Sequence, residues 1–268
     1  MLENIEKKHV GDKTGIERVE KCKNKIVFKY THDDLTDLYT KTSVSELKMS
    51  AIQEAFERNE FEESSASFFE SHEDEAYIPK FIKGDDKVKG TTRGTAYHRI
   101  MELFFKDNNA DIGSLYSEEQ KNNAIEVIER VVKQGKIDEE DAKLVDVNKV
   151  VTFLQSDLAR KMYEAQKRGD LHLEEPFVLG INADRLKENF PKEEMVLIQG
   201  IIDAFYIEND KIVLMDYKTD NVSHEDELVK KYKVQLDYYK EALERITGLE
   251  VVSQVIYSFA FGKCIELN

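Results

Sequence analysis

Two carboxylates and an ammonium group stand on two neighbouring apolar runs of the chain. Asp203 interrupts the run 195–207, and Asp216 and Lys218 close a second run that begins at Ile212. Aspartate is depleted from the interior of strands, so acids in such runs need a reason to be there. Two acids with a lysine beside them can hold a divalent cation and act on a phosphodiester bond. The alternative is an exposed strand face whose acids are simply solvated.

The segment between the two runs predicts how they pair. Residues 209–210 are Asn and Asp, which both tolerate positive φ and favour a two-residue hairpin loop. Glu208 then faces Lys211, and counting outward from that pair places Asp203 opposite Asp216. Opposed residues have Cβ atoms roughly 5 Å apart, and like charges there repel. Since side chains alternate between the two faces, the lysine two positions beyond Asp216 joins the same face. A cation between the acids would relieve the repulsion.

Three more residues are candidates for the same site. His98 and Glu102 are four residues apart on an apolar helical segment and therefore share one helix face. Because an unpaired imidazole would be costly among apolar neighbours, we interpret His98 as a metal ligand. Glu102 is either a further ligand or a group that orients His98. Glu175 begins a strand and either joins the acids or is an ordinary exposed residue at a strand end.

A glutamine and a tyrosine follow one turn apart on a long helical segment after the hairpin. Gln235 and Tyr239 share a helix face with Tyr232. Tyrosines at such spacing are usually core residues, so we expect Tyr232 and Tyr238 to be structural. We expect Gln235 and Tyr239 to brace Lys218 or to hydrogen-bond a phosphate.

Composition narrows the classes of protein to which the chain can belong. Its 268 residues are 41% hydrophobic and 35% charged, as in a globular protein long enough for a sizeable core. The start of the chain lacks signal-peptide character, and no apolar run approaches the ~20 residues of a membrane span. We therefore expect a cytoplasmic protein without a membrane partner. Cys22 and Cys264 are too few to hold an iron–sulfur cluster. The net charge of −15 argues against strong binding of nucleic acid by the chain alone.

The elements that must position these residues follow from periodicity and capping patterns. Residues 1–40 are predicted to be an extended lead-in or docking arm, and residues 41–268 to be one domain. A capping box at 43–46 opens a helix to about residue 58, and the acidic, serine-rich stretch 59–74 is predicted to be a loop. Further helices are predicted over 94–106, 117–135, 138–145 and 148–168, followed by a strand over 171–179, the hairpin, a helix over 225–247 and a strand over 250–261. This order predicts an α/β fold with a small mixed sheet flanked by helices.

Four motifs, in this order along the chain, resemble the RecB-like branch of the PD-(D/E)XK nucleases. They are Gly94-x-x-x-His98-x-x-x-Glu102, Gln199-Gly-Ile-Ile-Asp203, Asp216-Tyr-Lys218-Thr219 and Gln235-x-x-x-Tyr239. More narrowly, the segments 42–48 and 93–98 are similar to the C-terminal nuclease domains of the AddA family of helicase–nuclease subunits. The resemblance covers residues 40–268. The family's Pro-Asp is Ile202-Asp203 here, a variation common in this branch.

The resemblance implies a restriction-endonuclease-like core and a role for each matching residue. Mg²⁺ or Mn²⁺ would be held by His98, Asp203, Asp216 and the main-chain carbonyl of Tyr217. The catalytic set would be Asp203, Asp216 and the catalytic lysine Lys218, with Gln235 and Tyr239 as the supporting motif. The related AddB and Cas4-like nucleases carry an iron–sulfur cluster, which the two cysteines argue against here.

The resemblance also implies partners. The chain has no GxxxxGK[ST] phosphate-binding loop, so a helicase motor would have to lie outside it. The chain would work with the helicase portion of its own subunit, and with an AddB-like partner. Its substrate would be a single-stranded DNA end during double-strand-break processing. The rival interpretation is a catalytically silent module that keeps the fold in order to dock a partner subunit or steer DNA.

Overall fold

The computed structural model of the protein describes residues 38, 40–57, 93–106 and 117–267. Apart from residues 38 and 40, the predicted docking arm lies outside the described residues, and so does the predicted loop 59–74. Among the described helices, none is both long enough and apolar enough to cross a membrane.

Six strands and seven α-helices make up the described part of the chain. The strands are β1 (Lys41–Ser43), β2 (Leu171–Asn182), β3 (Met195–Glu208), β4 (Lys211–Lys218), β5 (Glu250–Ser258) and β6 (Lys263–Leu267). The helices are α1 (Val44–Glu57), α2 (Arg93–Lys106), α3 (Ser117–Lys133), α4 (Glu139–Ala142), α5 (Val147–Leu154), α6 (Asp157–Arg168) and α7 (Glu225–Thr247). All six strands belong to one mixed sheet with helices packed on both faces, which confirms the predicted fold class.

The central hairpin, β3 and β4, forms as the sequence predicts. Residues 209–210 make its two-residue loop with φ of 53° and 58°, the left-handed values that a type I′ turn requires. Glu208 pairs with Lys211, and the antiparallel pairing continues as far as Ala204 and Met215. The predicted register is therefore confirmed over the outer half of the hairpin.

The strand predicted over 250–261 ends at Ser258, and a further strand that the sequence does not predict, β6, follows it. The chain reverses after β5 through Gly262, whose φ is 67°, and β6 then pairs with β5 in antiparallel orientation. β5 itself runs parallel to β4, with α7 as the crossover between them. Gly248 ends α7 with φ of 72°, at the residue that the sequence predicts.

Two other predicted elements differ from the structure. The single helix predicted over 148–168 is divided into α5 and α6, because the side chain of Ser156 accepts a hydrogen bond from the N–H of Ala159 and starts a new helix there. The capping box at the start of α1 forms as predicted, but the short strand β1 that precedes it was not anticipated from the sequence.

Two helical layers enclose the sheet. One layer packs α2, α3, α5 and α6 against sheet residues such as Tyr206, Tyr217 and Tyr257. The other layer packs α1 and α7 against sheet residues such as Leu214 and Ile256. Polar groups at the middle of the sheet therefore lie in surroundings of low dielectric constant, where charges interact strongly.

Candidate active site

The site lies where the sheet opens beside β3. β2 pairs with β3 along nearly its whole length, so β1 and β4 share the opposite edge of β3. β1 pairs there with residues 197–199, and β4 pairs with residues 204–208. Residues 200–203 therefore lie between the end of one partner strand and the end of the other. This gap admits polar side chains at the centre of an otherwise apolar sheet.

Three acids stand in one row across this gap, which we call the acid row. By extension of the two strand registers, Glu174 of β2 falls opposite Asp203 of β3, and Asp203 falls opposite Asp216 of β4. The backbones do not pair at the row itself. Instead, the carboxylate of Asp203 accepts a hydrogen bond from the main-chain N–H of Tyr217 at 2.9 Å. The row therefore holds the two predicted acids and one more.

Glu174 has an unusual backbone conformation, with φ of 53°. Left-handed values are uncommon for residues other than glycine, and they cluster at functional sites. The strand pair changes face at this point. Leu173 packs with the layer that contains α2, whereas Phe177 packs with the layer of α1 and α7, although strict alternation would put both on one side.

The change of face decides which of two adjacent glutamates joins the site. Glu174, His98 and Asp203 form a group whose potential ligand atoms all lie within 4.8 Å of one another. Glu175 is exposed, and its carboxylate lies 3.8 Å from Nδ1 of His172. Of the two interpretations of Glu175, the exposed strand residue is therefore the correct one, and its neighbour occupies the place considered for it.

His98 reaches the acid row from α2. Its Nε2 donates a hydrogen bond to the main-chain carbonyl of Tyr217 at 2.8 Å, and its Nδ1 lies 3.4 Å from Oδ1 of Asp203. Burial lowers the pKa of His98, but the negative charge of Asp203 outweighs burial and raises the pKa to about 9. In the metal-free protein the imidazole is therefore protonated at neutral pH.

The pKa values of the two acids nearest His98 are shifted in opposite directions by their surroundings. Burial raises the pKa of Glu174, and the charge of Asp203 adds to this effect, so that the pKa reaches about 7. Burial also disfavours the charge of Asp203, but His98 and Lys218 outweigh it and hold the pKa well below its usual range. Asp203 is therefore the permanent anion of the row, while Glu174 gains and loses its proton near neutral pH.

Asp216 is the fully buried end of the acid row. Its Oδ1 accepts a hydrogen bond from Nε2 of Gln235 at 3.2 Å, and the same amide donates to the hydroxyl of Tyr239 at 2.9 Å. Its Oδ2 lies 2.9 Å from Nζ of Lys218, but no hydrogen bond of good geometry reaches that oxygen. Gln235 thus holds Asp216 directly, Tyr239 supports Gln235, and both act on Lys218 through Asp216.

The ion pair between Asp216 and Lys218 sets the charge state of both residues. Burial raises the pKa of Asp216 to about 6, because the charge of Asp203 works in the same direction and Lys218 offsets only part of the effect. Burial lowers the pKa of Lys218, but Asp216 and Asp203 outweigh it and hold the pKa above its usual range. Lys218 therefore carries its positive charge at neutral pH.

The donor set fits a hard divalent cation. Glu174, Asp203 and Asp216 supply the carboxylate oxygens that Mg²⁺ and Mn²⁺ prefer, and His98 adds one nitrogen, which suits Mn²⁺. A cation would also favour the charged form of Glu174 and give Oδ2 of Asp216 a partner of good geometry. Asp216 lies outside the compact group around His98, and His98 engages the carbonyl of Tyr217. The ligand roles of His98, Asp203, Asp216 and Tyr217 all stay predictions.

Glu102 does not take part in the acid row. Its carboxylate contacts the guanidinium of Arg99 and lies 2.7 Å from Nζ of Lys106, on the same helix. Neither predicted role, as a ligand or as the group that orients His98, is seen. The carbonyl of Tyr217 orients His98 instead.

The fold and the acid row agree with a comparison to known families. The profile described as the PD-(D/E)XK nuclease superfamily matches residues 57–263. The chain belongs to this superfamily.

Individual relatives narrow the family within this superfamily. The A subunit of an ATP-dependent helicase/nuclease from Clostridium novyi is 32% identical over 262 residues, which cover 93% of this chain and 19% of the relative. The protein of the same description from Clostridium acetobutylicum is 31% identical over 255 residues, with 93% and 19% coverage. The one from Lachnoclostridium phytofermentans is 32% identical over 230 residues, with 72% and 16% coverage. These matches confirm the resemblance to the nuclease domain of the AddA family, and the chain spans about a fifth of the length of these relatives.

Proposed function

We propose that the chain is a metal-dependent deoxyribonuclease domain that hydrolyses phosphodiester bonds at the ends of single-stranded DNA. The observation that supports this most strongly is the acid row, with His98 at one end and Lys218 at the other. Carboxylates held in one row repel one another, and a purely structural sheet gains nothing from them. In a member of a nuclease superfamily, a cation-binding role accounts for all of these groups together.

The acid row and His98 have one role in the proposed reaction, and Lys218 has another. Glu174, Asp203 and Asp216, with His98, would hold Mg²⁺ or Mn²⁺. When bound, such an ion would activate a water molecule and stabilise negative charge on the phosphate. Because the pKa of Lys218 lies above its usual range, this residue acts as a cation. Its ammonium orients the attacking water or stabilises the charge that develops on the phosphate.

Gln235 and Tyr239 act through Asp216. The amide of Gln235 holds one oxygen of Asp216 at 3.2 Å and leaves the other oxygen directed toward Lys218. The hydroxyl of Tyr239 fixes the amide in turn. The pair therefore sets the orientation of the carboxylate plane, which is the property that a metal ligand most needs from its supporting residues.

The biological setting follows from the relatives. Their names combine an ATP-dependent helicase with a nuclease, and the chain has no phosphate-binding loop of its own. We therefore propose that it works beside the helicase portion of such a protein, with an AddB-like partner, in processing double-strand breaks. A net charge of −15 favours delivery of the DNA strand by these partners. The cytoplasmic location expected from the sequence stays a prediction.

Two substitutions test the proposal. Asp216→Asn removes the charge of the carboxylate with little change in shape, and Lys218→Ala removes the ammonium but no ligand. We expect each to lower cleavage of labelled single-stranded DNA with Mg²⁺ or Mn²⁺ by at least about 100-fold, as is usual for a group that stabilises charge in the transition state. Calorimetry should show weakened metal binding for Asp216→Asn and unchanged binding for Lys218→Ala.

Matched controls come from the other end of the same hairpin. Asp210→Asn and Lys211→Ala make the same chemical changes at exposed positions and should leave cleavage unchanged. Wild-type cleavage should stop in EDTA. If the wild type does not cut with either metal, the domain is the silent docking module of the rival interpretation. If both site variants cut at the wild-type rate, the hairpin is not the site of cleavage.

A further inference from the structure

One face of the sheet beyond the acid row is uncovered. Along β2 and β3, the side chains that alternate toward α1 and α7 are buried, among them Leu179 and Ile198. The side chains that alternate the other way are not, and Val178, Met195 and Leu197 are 60%, 58% and 45% exposed. None of the described hydrophobic clusters contains these three residues. Apolar surface that is exposed in this way marks a site of interaction.

This uncovered surface, which we call the open face, begins at the acid row. The pairing of β3 with β2 and with β1 places its residues in successive rungs, because directly opposed residues point to the same side of a sheet. The rungs next to the row contain Pro176 and Ile201, two residues from Glu174 and Asp203. The whole open face consists of Pro176, Val178, Gly180 and Asn182 of β2, Met195, Leu197, Gln199 and Ile201 of β3, and Lys41 and Ser43 of β1.

The open face is the way out of the acid row along the described part of the sheet. At one end of the row Asp216 is fully buried, and α7 holds it through Gln235. Further along β3, Ala204 and Tyr206 are covered by the layer that contains α2. His98 reaches the row from this same layer, on the side of the sheet to which the open face points. A DNA strand whose end is held at the row therefore continues over the open face.

The charge of the open face suits a polyanion. The chain has a net charge of −15, yet Lys41 is the only charged residue of the open face as defined above. Lys41 is exposed and pairs with Leu197. A surface without acids reduces the repulsion that the phosphates of DNA meet elsewhere on this protein. Its aliphatic side chains offer apolar contact to sugars and bases.

We propose that the open face is the path of single-stranded DNA into the acid row, with sugars and bases against Val178 and Leu197 and a phosphate beside Lys41. At roughly 3.4 Å per residue, the eight residues from Asp203 to Met195 extend about 27 Å. A strand stacked at roughly 3.4 Å per nucleotide places about eight nucleotides over this length. The inference rests on the proposed nuclease function and adds the surface that holds the uncut part of the substrate.

Val178→Asp and Val178→Lys test the path, because they place opposite charges at one exposed position. Val178 lies four residues from Glu174, about 14 Å along the strand and beyond the ~8 Å over which exposed charges act at physiological ionic strength. We therefore expect kcat to stay within about twofold of wild type. For an oligonucleotide of about 12 nucleotides, Val178→Asp should raise KM about fivefold and Val178→Lys should lower it about threefold, since one repels a phosphate and the other attracts it.

Two comparisons show whether the effect is local. A trinucleotide is too short to reach residue 178 from the acid row, so both variants should cleave it with the KM of wild type. Val252→Asp and Val252→Lys make the same changes at a valine of β5 that is 47% exposed, and they should leave KM unchanged for both substrates.

Lys41→Ala gives a second test that leaves β2 and β3 intact. We expect the plot of log(kcat/KM) against the logarithm of salt concentration to become less steep by about 0.7, the value for one phosphate contact on a single strand. Lys211→Ala removes an exposed lysine from the turn of the hairpin and should leave this slope unchanged. Thermal melts identify any variant at position 178 that unfolds, and Lys41→Ala then decides the question.

The outcomes separate this inference from the nuclease proposal. If wild type does not cut, the nuclease proposal fails and this inference fails with it. If wild type cuts and the variants at 178 behave like those at 252, only the path of the DNA is overturned, and the open face is a docking surface for another protein segment. A KM that rises with Asp and Lys alike, or that changes equally for the trinucleotide, would also overturn the path, because the substitutions would then disturb the site itself.

Discussion

Glu174→Gln should make the metal-free protein clearly more stable at pH 8 and only slightly more stable at pH 5. The pKa of Glu174 is about 7 in the folded protein, against an ordinary value of 4.5. As pH rises from 4.5 to 7, the unfolded chain loses this proton while the folded protein keeps it, so wild-type stability falls over that range. Glutamine has no ionisable proton, so the variant does not lose this stability as pH rises.

The size of the effect follows from the same two values. They differ by about 2.5, and each whole unit corresponds to ~1.36 kcal/mol, so ionised Glu174 costs the fold up to about 3 kcal/mol at pH 8. Glu174 is partly exposed, and solvent screening reduces this to roughly 1–3 kcal/mol. For a chain of this size 1 kcal/mol moves the melting temperature by about 2–4 °C. Glu174→Gln should therefore melt several degrees above wild type at pH 8 in EDTA.

Thermal melts at both pH values, with EDTA or with millimolar Mn²⁺, complete the test. Metal should stabilise wild type by mass action and should stabilise Glu174→Gln less, because the variant lacks one ligand. Glu175→Gln is the matched control, since it makes the same change one residue along at an exposed side chain, and it should follow wild type in all four conditions. If Glu174→Gln is no more stable than wild type at pH 8 in EDTA, or gains as much at pH 5 as at pH 8, then burial and the charge of Asp203 do not raise the pKa of Glu174 as described.

Further outcomes follow from the same contacts. Gly200→Ala should cost about 1–3 kcal/mol of stability and lower cleavage, since its Cβ would lie 2.8 Å from the ring of Phe177 and 3.2 Å from that of Tyr239. Gly180→Ala should melt within about a degree or two of wild type, because its one close contact is with the end of the flexible Met195 side chain. Metal binding at pH 7.5 should release protons, because His98, with its pKa of about 9, must become neutral to act as a ligand. Calorimetry in two buffers of different ionisation enthalpy counts these protons, and identical heats in both would remove His98 from the ligand set. In the metal-free protein the charged His98 stabilises the fold fully below pH 6.5, and this contribution should be lost as pH rises through about 9. Binding of the isolated chain to duplex DNA should be weak and lost at modest ionic strength, and salt-resistant binding in a fluorescence anisotropy titration would contradict this.

Local sequence signals predict the hairpin and the helix ends well. An Asn-Asp pair between two apolar runs has few ways to turn, so the register of β3 and β4 follows by counting. Gly169 and Gly248 end α6 and α7 where the sequence predicts, because glycine adopts the left-handed conformation of a helix end without strain. The family motifs place His98 near Asp203 by resemblance, and the structure brings them to 3.4 Å.

Non-local effects explain what the sequence does not predict. Glu174 and Glu175 are adjacent and chemically identical, and the choice between them depends on a left-handed φ that no local pattern signals. β1 is three residues long and exists because β3 offers it an edge. Tyr232 has the spacing of a core residue and is one, yet two of the three lysines over its ring, Lys48 and Lys218, come from α1 and β4, far from it in sequence.

The contacts of the acid row join distant parts of the chain. His98 donates a hydrogen bond to the carbonyl of Tyr217, which lies 119 residues further along the chain. Asp216 accepts a hydrogen bond from Gln235, which lies on the crossover helix α7 and so follows both strands of the hairpin in sequence. A chain still emerging from the ribosome has no such row until α2, three strands and α7 have all been made and packed, and contacts of this range form late in folding. On the proposed function, the active site of the nuclease therefore forms only after all of these elements have been synthesised and packed together.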